Sequence, residues 1–199
     1  MEALNRSLFL MINAGADPAP GMLWVAIIVA QWLIYGVPLL LAGFWLWGGP
    51  QRRAAVLVAT LSLLVALSCN QLIAAVWMHP RPFMIQLGHT FMGHDAESSF
   101  PSDHAVVFFS VGLALIWSAL RNVGALLVLI GVVVGASRVY LGVHFPFDII
   151  GAFLVAIVSS WVVITGLSVG QVKQQLLQGL EGLYRRLFAF AINKRWVQA

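Results

Sequence analysis

Charge is what this sequence has least of. Of its 199 residues 11 are Lys or Arg and 7 are Asp or Glu, so 9% are charged, where a soluble domain carries roughly 25%. With 61% hydrophobic residues and a mean hydropathy of +0.92, that scarcity excludes a water-soluble globular domain and puts the chain in lipid. There is one cysteine, Cys69, inside an apolar run; an internal disulfide is excluded and a packing role remains. Met1 to Asn13 carries an acid at Glu2 and lacks a small-residue cleavage site, which argues against a signal peptide. Inverted repeats and broken helices, the marks of many transporters, are not visible beyond Pro38 and scattered glycines.

What remains is apolar sequence in membrane-length pieces. A crossing takes about 20 residues, and five stretches qualify: Met22–Trp47, Ala54–Met78, Ala105–Leu120, Val123–Tyr140 and Phe147–Leu167. The pattern predicts an all-α, polytopic membrane bundle of five or six transmembrane helices, in one domain over residues 1–199. Residues 1–20 form an interfacial segment with Leu4, Leu8 and Met11 on one face, 22–168 the transmembrane core, and 170–199 a basic amphipathic helix. Five crossings put Arg52, Arg53, Arg121, Lys173, Arg185, Arg186, Lys194 and Arg195 on one side. Only Arg6, Arg81 and Arg138 fall on the other. The positive-inside rule assigns the first side, with the C-terminus, to the cytoplasm. The five histidines then face outward with every acid except Glu181.

Three polar segments meet on that outer side: His79-Pro80-Arg81-Pro82, Ser99-Phe100-Pro101-Ser102-Asp103-His104, and Ser137 to Asp148. Ionisable groups beside membrane-length runs are costly and usually functional. Arg81 and Arg138 suit a phosphate, because guanidinium binds its oxygens bidentately. Pro101-Ser102 opening a helix offers a hydroxyl and exposed backbone N–H groups. His144 before Pro146, with Asp148 one turn inside the helix, gives a carboxylate that fixes the imidazole tautomer and leaves one nitrogen as nucleophile. His104 is then the general acid for the departing oxygen. His79 and His89 read as solvated loop histidines. Glu97, Asp103 and Ser99 are candidates for supporting roles, although the acids among them add negative charge beside a polyanion.

These segments resemble the type 2 phosphatidic acid phosphatase superfamily, whose fold is shared with vanadium haloperoxidases. Its signature appears as Arg81-Pro82, Pro101-Ser102-Asp103-His104, and Ser137-Arg138 with His144 and Asp148. The resemblance implies oxyanion binding by Arg81, Ser102 and Arg138, acid catalysis by His104, a His144 nucleophile and an orienting Asp148, with a haloperoxidase-like core. Two positions depart from it. Ala74 stands where most members carry a lysine, for which His79 or Gln71 is only a partial substitute, and Asp103 stands where glycine is usual. Both departures, and the stretch from His94 to His104, are similar to the bacitracin-resistance-type undecaprenyl pyrophosphate phosphatases. That resemblance implies hydrolysis of undecaprenyl diphosphate at the outer face of the bacterial inner membrane, giving bacitracin resistance. No metal or cofactor is required, although stimulation by divalent cations fits the acidic neighbours. The implied partners are the polyprenyl diphosphate and membrane lipids, not nucleic acid; oligomeric state is not encoded legibly. The alternatives are another lipid phosphatase or phosphotransferase acting on phosphatidylglycerophosphate, phosphatidate or lipid A, and a non-enzymatic lipid or bacitracin transporter.

Overall fold

Prolines open three of the long helices: Pro20, Pro50 and Pro146 stand in a first turn, where a missing N–H costs nothing and the fixed φ suits the helix. The computed structural model describes residues 1–198. Among them lie nine α-helices and no strand: α1 Glu2–Ile12, α2 Pro20–Gln31, α3 Gly36–Trp47, α4 Pro50–Val76, α5 Asp103–Ile116, α6 Arg121–Tyr140, α7 Pro146–Ser168, α8 Val172–Leu187 and α9 Ala189–Asn193. Four segments are long and apolar enough to cross a membrane: Pro20–Trp47 (α2 with α3), Pro50–Val76, Arg121–Tyr140 and Pro146–Ser168. Their outer faces are apolar. Along α7, Ile150, Leu154, Val158 and Trp161 recur at helical spacing and are all more than half exposed, as expected of a protein whose solvent on that side is lipid.

The fifth apolar stretch ends early. α5 has 14 residues, about 21 Å of helix against a hydrocarbon core of about 30 Å. After Ile116, Ser118 Oγ donates to Ala114 O at 2.7 Å, a local bond that competes with helix continuation. α5 is the hub, packed on α4, α6 and α7 and buried from Ala105 to Leu115. It approaches α6 where Gly112 faces Gly124: a Cβ on Gly124 would stand 2.4 Å from Gly112 O. Only small residues permit that crossing.

The first span corrects the expectation of unbroken helices. A 3₁₀ turn, Leu33–Tyr35, separates α2 from α3. Pro38 lacks the N–H that would bond Ile34 O, and its ring crowds that carbonyl, so the ladder is interrupted one turn upstream. α1 docks through Asn5 and Phe9, both buried, leaving Leu4 and Met11 exposed and Leu8 half-buried. At the far end of the bundle, buried Arg53 lies 3.8 Å from Glu181 and donates to Trp45 O and Gln198 O. The C-terminal segment is therefore clamped to the start of α4. It is also not one continuous helix: α8 ends at Leu187, and α9 leads back toward Leu46, whose carbonyl accepts the Gln198 N–H.

Candidate active site

Alternating directions bring the C-terminal ends of α4 and α6 together with the N-terminal ends of α5 and α7, and this end carries the three polar segments. The loop from α6 to α7 is shaped by Gly142, at φ +82°, where a Cβ would meet His89 O at 2.1 Å. No other residue fits that turn without displacing the neighbouring backbone. The turn delivers His144, 2% exposed, beneath the start of α7.

Asp148, fully buried, organises the reactive imidazole. Its Oδ2 accepts the Phe145 N–H at 2.7 Å and the Ser99 hydroxyl, and it faces His144 Nδ1 at 3.3 Å. On the other side of the ring, Arg81 Nη1 lies 3.2 Å from His144 Nε2. A guanidinium can only donate and a carboxylate only accept, so chemistry fixes the tautomer. Nδ1 carries the hydrogen toward Asp148, and Nε2 keeps its lone pair. Arg81 is itself held by Val143 O and Ser98 O at 3.0 and 3.1 Å. Burial pulls its pKa below the usual value, opposed by the fields of Asp148, Glu97, Asp103 and Asp95.

Burial first, and then the fields of Arg138 and Arg81, drive the His144 pKa from 6.5 down to about 3, against the stabilising contact with Asp148. His144 is therefore neutral in the ordinary pH range, as a nucleophile must be. The sign for folding follows. The unfolded chain takes up a proton below about pH 6.5 that folded His144 refuses, so stability falls as pH drops through that window toward 3. ¹⁵N-histidine spectra in detergent should show His144 neutral, with the hydrogen on Nδ1, from pH 8 to 5. A titration near 6.5 would contradict this arrangement.

The remaining expected groups fall around this core. Arg138, 1% exposed, donates from Nη1 to Ala30 O at 3.3 Å, at the last turn of α2. Among the described residues, Arg138 Nε and Nη2, Arg81 Nε and Ser102 Oγ are buried with no hydrogen-bond partner. Four orphaned donors at one end of a bundle call for an anion, since leaving them unsatisfied is costly. Ser102 corrects one detail: its own N–H is taken by Asp148 O at 3.2 Å, so its contribution is the hydroxyl. His104, half-buried, lines a polar cavity of about 350 Å³ with His94, Arg138, Gln31 and Tyr35. His104 and Tyr35 also border an apolar groove of about 600 Å³ walled by Ile34, Val37, Leu41 and Leu63.

The supporting residues divide. Ser99 is buried on Asp148 and lies 3.4 Å from His144 Nδ1. Glu97 is exposed. Asp103, also exposed, accepts the Asn70 Nδ2–H at 2.9 Å and sits in the first turn of α5, where the helix dipole favours its charge. This relieves the expected clash with an anionic substrate. His79 is not a solvated loop residue: it packs between Trp77 and Phe145, ring centroids 5.5 Å away on each side, and its Nδ1 lies 3.8 Å from Asp148 Oδ1. His89 is exposed. Gln71 does not replace the missing lysine; it lines a separate outer groove with Leu64 and Leu72. Sequence reasoning missed His94, Gln31, Tyr35 and Asn70. The available signals were a polar residue within an apolar run for Gln31 and Asn70, and for His94 its place at the head of the acidic stretch.

A buried imidazole held by a carboxylate and flanked by two guanidinium groups, on an all-helical membrane scaffold, defines a class of phosphate-handling membrane proteins. The family comparison agrees: the PAP2 superfamily description matches residues 55–169, and the chain belongs to this superfamily. It is 40% identical over its full length to a protein of Escherichia coli (strain K12) named "Putative undecaprenyl-diphosphatase YbjG", covering 99% of that protein. It is 35% identical to undecaprenyl-diphosphatase BcrC of Bacillus subtilis (strain 168), over 67% of this chain and 69% of the relative. Among solved structures, Aquifex aeolicus LpxE superposes with a TM-score of 0.66 at 22% identity, over 81% of this chain and 95% of that one. That likeness shows the fold.

Proposed function

We propose that the protein hydrolyses undecaprenyl diphosphate to undecaprenyl phosphate and inorganic phosphate. On this reading it works at the outer face of the bacterial inner membrane, recycling the cell-wall lipid carrier and conferring bacitracin resistance. The observation that carries the reading is the joining of two environments at His104 and Tyr35: a polar cavity containing buried, unsatisfied Arg138, and an apolar groove in the lipid-facing wall. An amphiphile with a phosphorylated head and a long hydrocarbon tail matches both. The names of the relatives supply the polyprenyl diphosphate among such amphiphiles.

The reaction follows from the tautomer. His144 Nε2 attacks the terminal phosphorus, and the bond from phosphorus to the bridging oxygen breaks. The electron pair leaves on that oxygen, which takes a proton from His104, and undecaprenyl phosphate departs. Arg81, Arg138 and Ser102 hold the equatorial oxygens as negative charge spreads over them. Asp148 balances the positive charge that grows on the ring. Water then attacks the phosphohistidine, the P–N bond breaks, and His104 recovers a proton from that water as phosphate is released.

No step in this sequence needs a metal. Phosphate release from undecaprenyl diphosphate by detergent-solubilised protein is expected to continue in EDTA at more than half its untreated rate. Abolition by EDTA, with recovery on adding Mg²⁺, would instead place a divalent ion between the substrate and acids such as Glu97. Release from phosphatidate or phosphatidylglycerophosphate in preference to the diphosphate would favour a different lipid phosphatase. No release from any of them would favour a transporter.

A further inference from the structure

Three groups of the polar cavity have no task in the reaction above: Gln31, Tyr35 and His94. Gln31 ends α2 and Tyr35 ends the 3₁₀ turn, so both stand at the break in the first span. The break is tied to the site, because Arg138 Nη1 donates to Ala30 O beside it. His94 comes from the loop before α5, half-buried, its ring centroid 6.3 Å from that of His144 and nearly perpendicular to it. Its Nδ1 lies 3.3 Å from Asp95 O. A carbonyl only accepts, so Nδ1 carries the hydrogen and Nε2 is the nitrogen left to interact elsewhere.

The order of groups matters. A terminal phosphate attacked by His144 lies against Arg81 and the Nε2 lone pair. In-line displacement requires the bridging oxygen on the opposite side of phosphorus, toward the acid His104. Whatever follows that oxygen must occupy the space beyond His104, and this space is the polar cavity. A monophosphate ester would put its first carbon there, beside an imidazole, an amide, a phenol and an unsatisfied guanidinium. A diphosphate puts a second phosphate there, with oxygens for all of them. His94 reports the same preference independently. Its pKa is lowered by burial first and then by the fields of Arg81 and Arg138, so it lies in a positive potential that an anion relieves.

We propose that Gln31, Tyr35 and His94, with the unsatisfied edge of Arg138, form a subsite for the second phosphate, and that this subsite makes the enzyme select diphosphates over monophosphates. The inference rests on the reading of the site as a lipid diphosphate phosphatase and adds the source of its specificity. The first span supplies it because its broken turn presents two polar side chains at the mouth of the apolar groove, where a continuous helix would present neither at that height.

The test uses two soluble probes on the full-length protein in detergent, with binding measured by calorimetry: inorganic phosphate and methylenediphosphonate, a diphosphate that cannot be cleaved. Wild type is expected to bind the diphosphonate at least about tenfold more tightly, the size of one hydrogen bond to a charged group. Tyr35→Phe, Gln31→Ala and His94→Asn should each reduce that preference about threefold to tenfold, chiefly through weaker diphosphonate binding. Equal affinity of wild type for both probes, equal loss for both probes in the variants, or an unchanged preference in all three variants overturns the subsite. Failure of the underlying reading looks different: wild type would release no phosphate from undecaprenyl diphosphate, whatever its preference between the two probes.

Discussion

His144→Ala is expected to lower phosphate release from undecaprenyl diphosphate by at least about a thousandfold, with no covalent intermediate detectable. Loss of a nucleophile removes the whole two-step route, and only residual binding and electrostatic catalysis remain. The substitution leaves the charge of the site intact, because His144 is neutral, so Arg81 and Arg138 should still bind the diphosphate. KM is therefore expected to move little while kcat collapses. Rapid quench of wild type with terminally ³²P-labelled substrate should trap label on protein that is stable to alkali and released by acid, the behaviour of a phosphorus–nitrogen bond. Label trapped on His144→Ala, or kcat within tenfold of wild type, would show that another group attacks phosphorus.

Asp148→Asn is expected to cost about a thousandfold in kcat, the scale seen when the carboxylate behind a catalytic imidazole becomes an amide. The structure shows why so small a change is severe. Oδ2 gathers three donors: the Phe145 N–H, the Ser99 hydroxyl and His144 Nδ1. An amide oxygen in that position keeps the contacts but loses the charge that stabilises a ring becoming positive as it bonds phosphorus. An amide nitrogen in that position confronts all three donors with another donor and reverses the tautomer. Both outcomes spare the anion-binding groups, so affinity for inorganic phosphate should stay within about threefold of wild type. Asp148→Ala adds a structural loss, because the Phe145 N–H at the start of α7 is left without its acceptor. A lower midpoint in a detergent thermal melt for Asp148→Ala than for Asp148→Asn would separate the two contributions. Activity of Asp148→Asn within tenfold of wild type would show that His144 does not depend on this carboxylate.

The legible parts of the sequence were those where one residue type has one use. Prolines 20, 50 and 146 announce helix starts, and the four-residue step from His144 to Asp148 across Pro146 fixes their meeting before any coordinates are seen. Arg81 beside His144 is a contact across 63 residues; the motif resemblance suggested it, while periodicity could not. The first span hid its break because Gln31 to Pro38 is still apolar enough for lipid, and hydropathy counts side chains without registering a missing backbone N–H. α5 hid its brevity for a related reason: Trp117 to Leu120 is as apolar as a helix end but leaves the helix through the Ser118 turn. His79 was misjudged because its neighbours in sequence are loop residues, whereas its neighbours in space, Phe145 and Asp148, belong to α7 and the turn before it.

The N-terminal helix connects the bilayer surface to the chemistry. One side of α1 turns Leu4 and Met11 outward, and the other seats Phe9 against Phe145, ring centroids 5.3 Å apart, and gives Asn5 Oδ1 to the Phe147 N–H. Phe145 and Phe147 bracket the proline that follows His144. Lifting α1 away strips a ring and an acceptor from the segment that aims the nucleophile, although no residue of α1 touches phosphate. The choice of detergent thus reaches the reaction rate through a mechanical linkage as well as through lipid solubility, and amphiphiles that compete for the surface of α1 act on the enzyme without entering its pocket.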